Sequence, residues 1–282
     1  MKTTLLFLSV FLTTSLYGQN VYIPDANFKA YLVGNPDINT NGDTEIQVSE
    51  ASDFNGNMVC SYLNILDLTG VEAFTALTYL DCEGNQLTSL DVSQNTALNT
   101  LFCHSNQLTS LNVTQNMALE SLECDNNQLT SLDVTQNTAL WWLMCDNNQL
   151  ISLDLSNNNN LQMFYAMNNQ LNCINAKNGN NIIIYDFAVG NNPNLTCIEV
   201  DDSEWSTNNW DPILLDPQMY FSEDCNYPEN CFDSTLGITE LTTSKNLIQI
   251  LDMMGRETTF KPNTPLIYVY DDGSTEKVFT IE

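Results

Sequence analysis

Residues 101–118 read LFCHSNQLTSLNVTQNMA and residues 122–139 read LECDNNQLTSLDVTQNTA, so the chain repeats itself with an offset of 21 residues. The same spacing sets the starts of five rows, at Leu77, Leu98, Leu119, Leu140 and Leu161. Self-similarity at a fixed period is typical of stacked repeats, in which each repeat packs mainly against its neighbours. The centre of the chain is therefore predicted to be a solenoid.

The pattern that the rows share is LxxLxCxxNxLTSLDVxxNxx. It resembles the leucine-rich repeat, whose signature is LxxLxLxxN, with Cys in the third apolar place. The resemblance covers residues 63–200 and implies a β-rich leucine-rich repeat solenoid of the α/β type. Residues 19–62 are predicted to form a small helical cap before it, and residues 201–234 a second cap and a linker after it.

Each row contains two triplets that look like short strands, such as Leu80-Asp81-Cys82 and Leu90-Asp91-Val92. Alternation along a strand directs Leu80 and Cys82 inward and Asp81 outward. Asn85 and Asn95 follow the two triplets at the bends, and Asn recurs there in later rows. Because a side-chain amide can satisfy backbone groups that a tight bend leaves unpaired, we interpret both Asn columns as structural.

Four of the nine cysteines recur at the row spacing, namely Cys82, Cys103, Cys124 and Cys145. Neighbours in such a column lie ~4.8 Å apart along one line, which does not suit the tetrahedral geometry of zinc. We expect them to be buried free thiols that act as small hydrophobic side chains. The remaining five are predicted to lie outside this ladder, nearer the ends; they are Cys60, Cys173, Cys197, Cys225 and Cys231. Among them the favoured disulfide joins Cys197 to Cys225 over the last coil.

The charge balance excludes one class of partner. The chain has 35 acidic and 7 basic residues, for a formal net charge of −28. A nucleic-acid-binding surface needs clustered Lys and Arg, so nucleic acid is not expected as a partner. A single histidine, His104, excludes a metal site with two histidines.

The beginning of the chain has the order of a secretory signal peptide. Lys2 precedes an apolar run at residues 5–12, and a plausible cleavage point lies before Gln19. The run is too short for a membrane span, which needs ~20 residues. We therefore expect residues 1–18 to be removed, and the mature chain to be secreted without a transmembrane segment.

Residues 39–50, NTNGDTEIQVSE, resemble the calcium-binding loop of an EF-hand. The resemblance implies calcium as a possible cofactor, with ligands from Asn39, Asn41, Asp43, Glu45 and Glu50. The loop departs from the pattern at its first place, which has Asn39 instead of Asp, and at its sixth, where Thr44 replaces the usual Gly. The alternative is an Asn-rich turn before a helix at Ser49.

The composition changes near Thr235, after which four of the chain's basic residues occur. The last part alternates apolar and polar residues and is predicted to be a small antiparallel, β-sandwich-like domain. The segments MMGRE, KPNTPLIYVY and DGSTEKV resemble the type A C-terminal sorting domain of type IX secretion substrates. The resemblance implies that residues 235–282 engage the type IX machinery, and that the protein reaches the outer surface of a bacterium with an outer membrane.

A candidate binding surface emerges when the rows are compared with one another. The outward positions of the first triplet vary widely, whereas those of the second barely change. The candidate residues of this face are Phe102, His104, Trp142, Met144, Met163, Tyr165 and Met167. Exposed apolar patches with aromatic side chains often mark binding sites. The alternative is that the C-terminal cap covers this patch.

The sequence therefore predicts a secreted, non-enzymatic protein that binds an extracellular protein or glycan. No catalytic residue is assigned, because an open strand face offers no cleft to His104 and the carboxylates around it. Two alternatives remain at this point: a glycan-acting hydrolase that uses surface carboxylates, and an ice- or mineral-binding solenoid that uses the Thr-Ser columns beginning at Thr88-Ser89.

Overall fold

The computed structural model describes residues 19–228, 231–232, 247–251, 258, 266–270 and 275–278. The chain divides into two compact units, Met1–Ser234 and Thr235–Glu282. The expected signal peptide at residues 1–18 and the MMGRE segment lie outside the described residues. Within the described residues, no helix is both long and apolar enough to cross a membrane.

A small helical cap begins the first unit. Helix α1 spans Ala26–Gly34 and helix α2 spans Val48–Asp53. The Asp25 carboxylate accepts hydrogen bonds from the backbone N–H groups of Asn27 and Phe28, which confirms its predicted role as the N-cap of α1. Phe28 and Leu32 lie on one side of this helix and are fully buried.

The repeats build a parallel sheet of seven short strands. Its strands are β1 (Asn57–Val59), β2 (Tyr79–Asp81), β3 (Thr100–Phe102), β4 (Ser121–Glu123), β5 (Trp142–Met144), β7 (Met163–Tyr165) and β9 (Asp186–Ala188). The register places Leu80, Leu101, Leu122 and Leu143 opposite one another, and each is fully buried. The fold is a leucine-rich repeat solenoid.

The sheet begins earlier than the predicted repeat region. Strand β1 lies within residues 19–62, which were expected to be cap, and pairs with β2 so that Met58 faces Leu80. Because this register continues, Cys60 forms a fifth rung of the cysteine ladder, whereas the sequence placed it outside. The ladder thiols are all buried and free, as predicted for the other four. Burial raises the pKa of the Cys60 thiol to about 12.

The second triplets behave differently from the first. They form a separate parallel sheet only in the later coils, from β6 (Ser152–Asp154), β8 (Cys173–Asn175), β10 (Cys197–Glu199) and β11 (Tyr220–Ser222). The expectation of a strand at Leu90-Asp91-Val92 is therefore wrong. Coils that pair along one side and not along the other lie closer together on the paired side, so the first coils curve toward the seven-stranded sheet.

Both Asn columns tie successive coils together, which confirms their structural role. In the first column, Asn127 Oδ1 accepts from the Leu108 N–H at 2.9 Å, and Asn127 Nδ2 donates to the Cys103 and Cys124 carbonyls. In the second, Asn116 Nδ2 donates to the Val92 and Asn95 carbonyls of the coil before it. Buried amides thus replace backbone partners at every bend.

The C-terminal end of the solenoid core is closed by aromatic rings. Helix α3 (Ser203–Asn209) leads into Trp210, whose ring stacks on Phe187 with centroids 4.1 Å apart. A disulfide joins Cys197 to Cys225, with Cα atoms 5.8 Å apart, and a second one joins Cys173 to Cys231, which the sequence analysis did not anticipate. Together they fix the cap to the last coils.

The second unit contains one antiparallel sheet among its described residues, where a sandwich-like domain was expected. Its strands are β12 (Leu247–Leu251), β13 (Leu266–Tyr270) and β14 (Thr275–Val278), in the order β12-β13-β14. Residue Tyr268 faces Ile250 on one side and Glu276 on the other.

Candidate functional site

The candidate site is the outward side of the seven-stranded sheet, which we call the strand face. Its side chains lie in three files that cross the strands. The first contains Tyr79, Thr100, Ser121, Trp142, Met163 and Asp186; the second contains Asp81, Phe102, Glu123, Met144, Tyr165 and Ala188. The third continues the same coils just beyond the strands and contains Glu83, His104, Asp125, Asp146 and Met167.

The predicted patch comes together on β5 and β7. Trp142 faces Met163 and Met144 faces Tyr165 across these two strands, and Met167 follows β7. All five side chains are half-buried, where the sequence analysis expected exposed ones. The reason is mutual packing: large side chains in adjacent files cover one another, and the Trp142 ring lies edge-on to Trp141 at 5.4 Å.

Two polar groups belong to this patch. The Tyr165 hydroxyl donates a hydrogen bond to the Asp186 carboxylate. Burial, together with this bond, raises the pKa of Tyr165 to about 12, so the hydroxyl stays a donor at neutral pH. The indole N–H of Trp142 is buried and has no acceptor among the described residues.

Phe102 and His104 lie toward the N-terminal end of the strand face, two coils before the patch. The Phe102 ring packs edge-on against Tyr79, with centroids 5.5 Å apart. His104 Nε2 lies between two carboxylates, forming ion pairs with Glu83 and, at 3.6 Å, with Glu123. These two candidate residues therefore belong to a separate, charged part of the face.

Asp146 is the most deeply buried carboxylate of the strand face, with 7% of its surface exposed. One of its oxygens accepts a hydrogen bond from the Met167 N–H. Burial, reinforced by the nearby Asp125 charge, raises the Asp146 pKa to about 6 from an ordinary value of 3.8. A carboxyl whose pKa is raised by folding stabilises the folded state when protonated, so this group costs stability at neutral pH, and the cost falls as the pH drops from about 6 toward 4.

The loop at residues 39–50 is closed by its own side chains. Glu50 Oε1 accepts from the Thr40 and Asn41 N–H groups, and its Oε2 accepts from the Gln47 N–H as part of a capping box. Asp43 Oδ1 accepts from the Glu45 N–H at 2.7 Å, and the Glu45 carboxylate pairs with Lys29.

The remaining predicted ligand, Asn39, is buried, and its amide donates to the Val33 and Asp43 carbonyls. The polar side chains of the loop are thus occupied within the protein, as in the alternative of an Asn-rich turn, and the helix after it begins at Val48. Within the described residues, no group of three or more His, Cys, Asp or Glu is placed to hold a metal ion. This arrangement does not favour the implied calcium site, and calcium binding stays a prediction.

The chain is similar to solved leucine-rich repeat structures. The functional domain of InlJ from Listeria monocytogenes, described as including a cysteine ladder, is 31% identical over 65% of this chain and 43% of that one, with a TM-score of 0.49. A leucine-rich repeat protein of Leptospira interrogans is 26% identical over 54% of this chain and 38% of that one, with a TM-score of 0.38. This chain thus spans less than half the length of either protein. No protein-family model and no curated protein matches the sequence.

Asp186 is a strand-face residue that the sequence analysis missed. The step between buried rings changes after the fifth row, because Phe164 faces Phe187, 23 residues later, across β7 and β9. A regular count of 21 residues therefore ends before this coil. The usable signal was Asn192, which follows Phe187 by five residues, as Asn127 follows Leu122.

Proposed function

We propose that this protein is an exported binding protein whose strand face recognises an extracellular protein or glycan. The observation that carries the proposal is the cluster of Trp142, Met144, Met163 and Tyr165 on β5 and β7, with Met167 beside it. Stacking of the coils needs the inward leucines only, so these outward side chains are not required for the fold. Half-buried aromatic and Met side chains at the centre of a surface are frequent binding anchors.

The C-terminal cap does not account for this patch. The described cap aromatics Trp205, Trp210 and Phe221 contact one another and Phe187. Phe187 is an inward residue of β9, so these rings close the core at the end of the solenoid. The strand face is consequently available to a partner as far as the described residues extend.

Replacing Trp142 and Tyr165 together by Ala is expected to weaken partner binding at least about a hundredfold, because each removes a large anchor side chain. The mature chain is first applied to an array of extracellular proteins and glycans, and the affinity of the strongest binder is then measured for both forms. The matched control replaces Tyr22 and Tyr220, which are 75% and 57% exposed and lie outside the strand face. Equal affinities for the double variant and the parent would contradict the proposal.

We also propose that residues 235–282 direct export, on the resemblance of their motifs to type IX sorting domains. Cells that produce the chain without these residues are expected to retain it in the periplasm, whereas the full chain reaches the medium or the cell surface. Fractionation followed by mass determination of each form measures this. Equal export of both forms would show that the tail is dispensable.

A further inference from the structure

A second cluster on the strand face has a chemistry that the aromatic patch does not explain. It consists of the carboxylates Glu123, Asp125 and Asp146 with the thioethers Met144 and Met167, and we call it the acidic slot. Asp125 and Asp146 are neighbours in the third file, and Glu123 faces Met144 across β4 and β5. The slot therefore places three carboxylates beside two flexible apolar side chains.

The charges of the slot are poorly compensated by the protein. Among the described residues, its one ion pair is the contact of Glu123 with His104 at 3.6 Å. Asp125 accepts a hydrogen bond from the neutral Asn126 amide. Asp146 is buried, yet its second oxygen receives no hydrogen bond within the described part of the chain. A buried carboxylate is normally paired, so this unpaired oxygen points to a ligand that supplies positive charge.

The apolar members select the kind of cation. Met144 and Met167 are half-buried and flank Asp146 on the same strand and on the next coil. A Lys or Arg side chain has an apolar stem that packs well on such thioethers while its charged end reaches carboxylates. Calcium, in contrast, takes six to eight oxygen ligands, and none of the described Asp and Glu clusters is placed to hold a metal ion.

We propose that the acidic slot binds a lysine or arginine side chain presented by a partner protein. The inference rests on the proposed binding function and narrows its partner to a protein with a basic surface segment. Complementarity of charge supports this choice, because the chain carries a net charge of −28 and the slot lies on the face proposed for recognition.

The test titrates a fluorescent hexa-arginine peptide into the mature protein at near-physiological salt, with hexa-citrulline as the uncharged counterpart. Asp146→Asn is expected to weaken hexa-arginine binding by about tenfold. The matched control is Asp133→Asn, which changes the net charge equally and has a natural precedent, since Asn112 occupies the same place one row earlier. It is expected to change the affinity by less than about twofold. Equal effects of both variants, or tight binding of hexa-citrulline, would overturn the proposal.

Folding and function are controlled separately. Asp146→Asn keeps an oxygen for the Met167 N–H and removes the buried charge, so it is expected to raise the melting temperature at pH 7.5, and to raise it less at pH 4.5. A lower melting temperature at pH 7.5 would contradict the burial argument. If an array partner is lost with the Trp142 and Tyr165 variant but bound equally by Asp146→Asn, the slot inference fails and the proposed function stands. If hexa-arginine binds through the slot while the array yields no partner, the proposed function fails instead.

Discussion

Trp210→Ala is expected to lower the free energy of unfolding by about 3–5 kcal/mol, which is the usual range for a buried Trp replaced by Ala. Trp210 is 4% exposed, and its ring covers the face of Phe187. Its indole N–H donates to the Ile184 carbonyl at 2.8 Å. The substitution therefore leaves a cavity at the end of the core together with a buried carbonyl that has lost a donor.

Denaturant unfolding of the mature chain, followed by circular dichroism, measures this effect. Ile213→Ala is the control, because Ile213 belongs to the same cap and is 85% exposed; we expect its effect to stay within about 0.5 kcal/mol. A Trp210→Ala variant as stable as the parent would mean that the aromatic stack does not close the solenoid.

Asn127→Ala is expected to destabilise the fold by about 1–3 kcal/mol. The side chain links two coils, because it accepts from the Leu108 N–H and donates to the Cys103 and Cys124 carbonyls. Alanine leaves these buried backbone groups without their side-chain partner, at a position that water does not reach.

The control for this substitution is the neighbouring residue. Gln128 is exposed, and its backbone N–H, which bonds the Leu108 carbonyl, is kept in Gln128→Ala. Thermal unfolding of both variants should show a clear loss for Asn127→Ala and a change within about 0.5 kcal/mol for Gln128→Ala. Coinciding curves for the two variants would remove the structural role from the Asn column.

The sequence predicts the repeating part of this fold well because position in the row determines the environment. Leu122 and Asn127 recur at fixed places, so their burial and their partners follow from the period alone. The prediction fails where the period changes. Cys60 lies one residue farther from Cys82 than the row step, and the coil that contains Asp186 is longer by two residues.

The candidate site was predicted less completely than the fold. The period places Asp146 on the outward side, but its burial depends on the size of Met144 and Met167 beside it, which no repeat rule specifies. The pairing of His104 with Glu83 and Glu123 likewise joins three different coils. Such properties arise from the particular side chains that the register brings together.

The cysteine ladder has a consequence for how this protein matures. The chain contains nine cysteines, of which four form disulfides and five stay reduced among the described residues. In an oxidising compartment an unfolded chain exposes all of them to crosslinking, and mispaired forms compete with the native one. Each coil that docks withdraws its thiol from oxidants, so rapid assembly of the rod acts as protection against scrambling. Variants that slow this assembly should therefore accumulate non-native crosslinks before any loss of equilibrium stability is apparent.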